Sequence, residues 1–260
     1  MPYVKGAVQS ALNQDYENIE IIVVDNASQD GTTQWLRTLA DSQLTVIYRD
    51  NLQSAFENWT QAIELASGKY TKLLCADDLL DPGIVSTQVQ QLESSPAAVM
   101  AASKRRIIDS QGKVVRQTHG LSGLKLRESG SATLRKCFLA GTNLLGEPAA
   151  VLFKSQVIKK VMPWHSRWPY VTDVATYAQV LRHGELVTDP RVQASFRIAA
   201  TSWSASLLGQ QEEQFSQWQA DELATGFVSL TPREELTSKV QLKLRTFVRK
   251  LFFAREARKK

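Results

Sequence analysis

Two acidic turns hold the residues of this 260-residue chain that are best suited to chemistry. Asp25 and Asn26 follow the apolar run IIVV, and Asp77 and Asp78 follow KLLCA. Adjacent carboxylates suit a hard divalent cation, because Mg²⁺ and Mn²⁺ prefer oxygen ligands and often share them with substrate phosphates. A carboxylate at a strand end can also hold ribose hydroxyls or the edge of a base. Two ordinary structural roles stay open as alternatives, since Asp25 can begin an Asx-turn and Asp78 can cap a helix.

The segments around these turns alternate between helix and strand patterns. Predicted strands cover 19–24, 44–50, 70–76 and 98–109, and predicted helices cover 3–13, 32–40, 53–66 and 83–93. Short apolar runs rich in β-branched residues are typical of strands buried on both faces of a parallel sheet. We therefore expect an α/β domain with a mostly parallel sheet flanked by helices, whose strands end at the acidic turns.

The second half of the chain has a looser pattern. It predicts a helix near 132–139, a strand at 148–154, a helix at 171–183, an extended segment at 186–197, and helices at 203–225 and 233–258. The last two segments follow the α/β pattern without a further strand between them, so we expect a helical C-terminal extension.

Five stretches of the chain resemble the family 2 glycosyltransferases, which have a GT-A fold. They are SALNQDYENIEIIVVDNASQDGT (10–32), NWTQAIELASGKYTKLLCADDLLDPG (58–83), GEPAAVLF (146–153), VTDVATYAQVLRHG (171–184) and FRIAATSWS (196–204). The resemblance implies a GT-A domain with a Rossmann-like sheet over residues 1–205, followed by a helical extension with a basic tail over residues 206–260.

The resemblance also implies roles for particular residues. Asp25 and Asn26 are expected to contact the nucleotide of a sugar donor. Asp77 and Asp78 correspond to the acidic motif that holds a divalent metal, Mn²⁺ or Mg²⁺, with Asp77 also at the donor diphosphate. Asp173 corresponds to the general base of an inverting transfer, although an acid in the first turn of a helix is also favoured by the helix dipole.

A last matching segment contains Arg197, Thr201 and Ser202. In the family this segment often borders the active site, but the resemblance assigns these three residues no role.

Two features depart from the family pattern. The resemblance begins at the helix that follows the family's first β-strand, and Cys75 replaces the first carboxylate of the commoner acidic motif. We interpret Cys75 as a small hydrophobic residue. A second hypothesis therefore stays open, a non-catalytic, truncated glycosyltransferase-like binding module. A third, a glycoside hydrolase with a carboxylate pair, would need neither nucleotide nor metal.

Composition excludes several other classes of protein. The 43% hydrophobic and 22% charged residues are ordinary for a globular chain. Two cysteines and three histidines without ligand spacing predict no structural zinc site. No apolar run is long enough to predict a membrane-spanning helix, and the first residues lack the pattern of a signal peptide. We expect a cytoplasmic protein, either free or peripheral on the inner face of the membrane.

The C-terminal tail is strongly basic. Residues 239–260 carry nine Lys or Arg and one Glu, so the tail has a net charge of +8 and the rest of the chain −3. Apolar residues recur there at helical spacing: Val240, Leu244, Phe247, Val248 and Leu251. Such a helix can lie on an anionic membrane, which would suit a glycan or lipid-linked acceptor, or it can pack on the catalytic domain. No recognition motif accompanies the charge, so nucleic acid is not a predicted partner.

Overall fold

A computed structural model has an α/β fold and describes residues 3–199, 203–207 and 209–257. The predicted residues Thr201 and Ser202 lie outside the described residues. The helices are α1 (Val4–Leu12), α2 (Thr32–Leu36), α3 (Ala55–Leu65), α4 (Ile84–Glu93), α5 (Gly130–Ala140), α6 (Ser155–Ile158), α7 (Thr172–Leu181), α8 (Trp203–Ser206), α9 (Gln211–Ala224) and α10 (Pro232–Ala257). The strands are β1 (Ile21–Asp25), β2 (Leu44–Tyr48), β3 (Tyr70–Thr71), β4 (Leu79–Leu80), β5 (Ala98–Ile108), β6 (Val114–His119), β7 (Arg127–Ser129), β8 (Val151–Lys154) and β9 (Glu185–Arg197).

The strands form two separate sheets. β1 and β2 pair only with each other, in parallel, with Ile21 opposite Leu44 and Asp25 opposite Tyr48. The larger sheet has seven strands in the order β3-β8-β5-β9-β4, with β6 also paired to β5 and β7 to β9. The edge of β1 that is not paired with β2 therefore faces a gap rather than another described strand.

The α/β architecture with helices against the sheet is confirmed, but the strand directions differ from the expectation. Of the described pairings, β1–β2 and β5–β9 are parallel and the other five are antiparallel. An apolar run reports burial on both faces of a strand and says little about the direction of its neighbour. β8 runs antiparallel between β3 and β5, and β6 returns along β5 after a tight turn at Asp109–Gly112.

Apolar side chains cover both faces of the larger sheet. On one face the core includes Phe138, Phe153, Tyr177 and Trp218, each at most 1% exposed, and joins the sheet to α5, α7 and α9. On the other face α4 buries a second cluster around Ile84. Burial of each such side chain contributes about 1.5–3 kcal/mol. This double cover gives a rigid frame for the strand ends and for the first turn of α7.

The C-terminal helices pack on the same frame. Ser238 of α10 donates a hydrogen bond of 2.6 Å from its Oγ to the carbonyl of Phe138 in α5. The two backbones approach so closely that a Cβ at Gly141 would lie 2.5 Å from the nitrogen of Leu242. Packing of the tail on the domain, one of the two alternatives open for it, is thus observed through residue 250. Among the described residues, no helix is long and apolar enough to cross a membrane.

Candidate active site

A cavity of about 1540 Å³ opens between the two sheets. It is bounded by α1 and β1 on one side, by residues 70–78 on the other, and by the start of α7 and the inner side of α10. All five residues predicted for the site line this cavity: Asp25, Asn26, Asp77, Asp78 and Asp173. The fold therefore brings together acidic residues that lie up to 148 positions apart in the sequence.

Asp25 ends β1 and is only 4% exposed. Its Oδ2 accepts a hydrogen bond of 2.5 Å from the Thr33 hydroxyl, and its Oδ1 accepts one of 3.3 Å from the backbone nitrogen of Ser28. Ala27, inside this turn, has a positive φ of 56°. Asp25 thus has the predicted local structural role in a wider form, because the bond reaches three residues on rather than the two of an Asx-turn, and it holds the carboxylate at the wall of the cavity.

Asn26 ties the same turn to a distant segment. Its amide nitrogen donates to the carbonyl of Gln53 at 2.9 Å, and its amide oxygen accepts from the nitrogen of Gln53 at 2.9 Å. Two bonds to one backbone unit fix the end of β1 against the chain that enters α3. The geometry gives Asn26 a positioning role beside Asp25.

The two aspartates of the second acidic turn differ in burial and in the way they contact Arg197. Asp78 is 1% exposed, and its Oδ1 accepts a hydrogen bond of 3.0 Å from the backbone nitrogen of Arg197. Asp77 is half-buried, and its carbonyl accepts from Nε of Arg197 at 2.9 Å. Both residues line the cavity, and the bonds from Arg197 to Asp77 and Asp78 lock the turn onto the end of β9.

Burial also raises the pKa values of the titratable groups in this turn. It raises the pKa of Asp78 well above its usual range, an effect that the neighbouring Asp77 reinforces. Burial raises the pKa of Asp77 as well, with Arg197 acting in the opposite direction. The thiol of Cys75 has a pKa well above its usual range, first because of burial and then because of the nearby carboxylates. Cys75 is therefore a neutral, half-buried wall residue, which agrees with its interpretation as a small apolar side chain.

The donor set fits a metal that is shared with a ligand. Within the described ranges, no group of three or more His, Cys, Asp or Glu side chains is placed to hold a metal ion. Mg²⁺ and Mn²⁺ are commonly bound by one or two carboxylates together with substrate phosphates and water. Asp77, with its carboxylate at the cavity wall, suits that arrangement.

Asp173 lies in the first turn of α7 and lines the same cavity as the acidic turns. Its Oδ1 is buried and has no hydrogen-bond partner among the described residues, and the same holds for the hydroxyl of Tyr177 one helical turn later. Burial raises the pKa of Asp173 to about 8, and the charge of Glu147 acts in the same direction. A buried carboxyl oxygen without a partner is costly, so such a group is a candidate for contact with a ligand.

Arg105 and Glu147 form an ion pair in the cavity wall that the sequence predictions missed. The Arg105 side chain is 3% exposed, and its Nη2 donates to Oε1 of Glu147 at 3.0 Å. A Cβ at Gly120 or at Gly146 would lie 2.5 or 2.9 Å from Nη1 of Arg105, so both glycines make room for the guanidinium. The available signals were Glu147 in GEPAAVLF and two arginines inside the apolar strand β5.

Basic side chains line the side of the cavity formed by α10. Arg245 and Arg249 of α10 are lining residues, as is Arg116 of β6. Arg249 donates to Oε1 of Gln211 at 3.1 Å and lies 5.4 Å from the ring centroid of Tyr170. Carboxylates at one wall and guanidinium groups at the other suit a ligand that carries both a metal ion and phosphate charge.

Two further lining residues have structural explanations. Lys72 is bound through Nζ to the carbonyls of Ala149 at 3.0 Å and Val151 at 2.7 Å, and burial lowers its pKa well below the usual range. His119 also lines the cavity, and burial lowers its pKa to about 4, which keeps it neutral.

Comparison with known proteins identifies the family. The model of the glycosyl transferase family 2 matches residues 1–162. The chain is 33% identical over 89 residues to the Escherichia coli protein WfaP, named a UDP-Glc:alpha-D-GlcNAc-diphosphoundecaprenol beta-1,3-glucosyltransferase. That match covers 34% of this chain and 36% of WfaP. The matches to three of its curated relatives cover 37%, 36% and 66% of the length of those proteins.

Solved structures show the same fold. TarS of Staphylococcus aureus, residues 1–349, aligns with a TM-score of 0.66 and 14% identity over 95% of this chain and 68% of that one. The mannosyltransferase PcManGT of Pyrobaculum calidifontis, in complex with GDP-Man and Mn²⁺, aligns with a TM-score of 0.61 and 16% identity over 94% and 67%. Both are GT-A glycosyltransferases, and the described chain has that fold.

Proposed function

Because the chain belongs to the glycosyl transferase family 2, we propose that its cavity binds a nucleotide-sugar donor and transfers the sugar to an acceptor hydroxyl. The observation that carries the proposal is the unpartnered, buried Oδ1 of Asp173 in the same cavity as the Asp77 carboxylate. Transfer needs a proton acceptor and a site for a leaving diphosphate, and these two residues supply the groups. A non-catalytic binding module would need no proton acceptor.

The donor is held by the two acidic turns. Asp25 faces the nucleoside, and Asn26 keeps the turn in place through Gln53. Asp77 would hold a divalent ion shared with the donor diphosphate, and Asp78 supports the turn by binding the backbone nitrogen of Arg197. When bound, the ion stabilises the negative charge that gathers on the leaving diphosphate.

Asp173 acts as the general base of an inverting transfer. Its carboxylate takes the proton of the acceptor hydroxyl while the hydroxyl oxygen forms a bond to the anomeric carbon. On the opposite side of that carbon, the bond to the donor phosphate oxygen breaks, and the electron pair leaves with the nucleotide diphosphate. A positioned base of this kind contributes about 10²–10⁴-fold to the rate.

The acceptor belongs to a cell-surface polysaccharide or to a lipid-linked glycan. This part of the proposal is supported by the name of WfaP, which specifies a diphosphoundecaprenol-linked acceptor. An acceptor of that class places the enzyme at the cytoplasmic face of the membrane, where nucleotide sugars are also available.

Calorimetric titration of the protein with UDP, and then GDP, with and without Mn²⁺ tests donor binding. We expect metal-dependent binding of one nucleotide that Asp77→Asn abolishes and Asp50→Asn, at an exposed position, leaves unchanged. Asp173→Asn is expected to keep nucleotide binding and to lose transfer or donor hydrolysis. A folded protein that binds neither nucleotide would refute the proposal.

The same experiment separates the two other hypotheses. Metal-dependent nucleotide binding with no turnover of any nucleotide sugar would favour the non-catalytic module. Cleavage of a glycan without nucleotide or metal would favour the glycoside hydrolase.

A further inference from the structure

Helix α10 packs on the protein through its small and polar residues. Ser238, Leu242 and Thr246, spaced four residues apart, are 0%, 3% and 6% exposed. The Ser238 hydroxyl bonds to α5, and the bare backbone of Gly141 lets α10 approach. Only one of the three inward residues is a large apolar side chain.

The outward face of the same helix is apolar. Its five exposed members, here called the outer stripe, are Leu236 at 64%, Val240 at 55%, Leu244 at 52%, Phe247 at 59% and Val248 at 55%. At about 100° per residue these positions fall within about 120° of the helix circumference. Large apolar side chains that form a continuous exposed surface mark an interaction site, since most surface hydrophobic residues occur singly.

Positive charge borders the outer stripe. Lys239, Lys243 and Lys250 are exposed and lie on the adjacent side of the helix, about 20–60° from Leu236. A second copy of this helix would bring like charges together along the contact, which is unfavourable. An apolar stripe beside lysines complements a surface that has negative charge outside and hydrocarbon beneath, as an anionic bilayer does.

We propose that α10 lies on an anionic lipid bilayer, with the outer stripe inserted below the headgroups and the three lysines at the lipid phosphates. A second consequence concerns the inner side of the helix and rests on the proposed function. Arg245 and Arg249 of the same helix line the active-site cavity. A lipid-linked acceptor held in that bilayer would therefore present its glycan beside the wall of the cavity.

The test is sedimentation of the whole protein with sucrose-loaded vesicles of phosphatidylcholine alone or with phosphatidylglycerol, with no nucleotide present. We expect binding to the anionic vesicles at least tenfold tighter than to the neutral ones, and weaker binding at high salt. The triple variant K239E/K243E/K250E should lose roughly 100-fold in affinity, at about fivefold for each lysine near the surface. L236S/V240S/F247S should lose binding to a similar degree.

Matched control variants make the same kinds of substitution at exposed positions outside α10. Leu52 and Leu126 are 78% and 69% exposed, so L52S/L126S removes surface hydrophobicity away from α10 and should bind as the wild type does. K113E/K125E/K160E makes the same change of charge at three other exposed lysines. Circular dichroism shows whether each variant is folded.

Equal loss in the control variants, or no binding of the wild type to anionic vesicles, would overturn the proposal. Dimerisation in analytical ultracentrifugation that the outer-stripe variant abolishes would identify a second copy as the occupant and overturn it too. Because the vesicle assay contains no nucleotide, its result is independent of donor binding. Vesicle binding without UDP or GDP binding would support membrane binding by α10 and refute the proposed function. Binding of UDP or GDP without vesicle binding would support the proposed function and refute membrane binding by α10.

Discussion

Replacement of Asp173 by Asn should change both catalysis and stability in a pH-dependent way. Burial raises the pKa of Asp173 from 3.8 to about 8 in the folded protein without ligand. A general base must be ionised, so at about pH 7 roughly a tenth of the molecules are competent, and at about pH 9 roughly nine tenths are. The rate under donor-limited conditions should therefore rise about tenfold across this interval, and Asp173→Asn should lose about 10²-fold or more.

The same raised pKa predicts the stability of the variant. A carboxyl group whose folded-state pKa is raised stabilises the protein fully below its unfolded pKa of 3.8 and loses that contribution as pH rises from there to about 8. The amide introduced by Asp173→Asn does not titrate, so the variant should be more stable than the wild type at about pH 7 by at most about 4 kcal/mol. Because the residue is partly exposed, we expect about 2–4 kcal/mol, and almost no difference at about pH 4.

Urea unfolding at several pH values measures the difference in stability between Asp173→Asn and the wild type. Initial rates of donor turnover measure the pH dependence of catalysis and its loss in the variant. Asp50→Asn, at an exposed position, is the control and should leave both pH profiles unchanged. A wild-type rate that is flat from about pH 6 to about pH 9 would refute the assignment of the base. Identical pH dependence of unfolding in wild type and Asp173→Asn would refute the raised pKa.

Three further predictions concern neighbouring residues. Glu147→Gln should shift the ascending limb of the rate to lower pH, because the charge of Glu147 raises the pKa of Asp173; a pH–rate profile checks this. Nucleotide–Mn²⁺ affinity should increase with pH, because burial raises the pKa of Asp77 and the metal binds the ionised form; calorimetry in two buffers of different ionisation enthalpy should detect the released proton. Gly141→Ala should destabilise the protein by about 2–4 kcal/mol, since a Cβ would clash with α10, whereas Gly123→Ala, also at positive φ but with open space, should cost about 1 kcal/mol in thermal unfolding.

Residue patterns predicted the helices and strands best where burial alone decides them. The 98–109 strand, the 83–93 helix and the 171–183 helix were each correct to within two residues at either end. β6 was missed because Val114–His119 is an exposed edge strand without the apolar run that marks a buried one. The predicted 70–76 strand is regular only at Tyr70–Thr71, and the following residues form the wall of the gap between the sheets.

The candidate site was predicted from strand ends, which are local features of a sequence. Arg105 and Glu147 could not be found in that way, because they are 42 positions apart and meet only when β5 and the segment before β8 become neighbours. Likewise, helical spacing identified the apolar residues of the tail but could not say which face they cover. The close approach at Gly141 and the hydrogen bond of Ser238 turn the small residues inward and leave the apolar ones outside.

The two acidic turns share one design, and this explains why each contains a pair of polar residues. In each pair the second residue, Asn26 or Asp78, binds the backbone of a segment that is distant in sequence. All four residues line the cavity, and the anchor made by the second residue holds the first one, Asp25 or Asp77, at the cavity wall. Loss of the second residue would free the turn and displace the first carboxylate from the ligand. In each pair the second residue therefore anchors the turn that carries the first. Two adjacent carboxylates do not by themselves indicate two ligands to one metal ion.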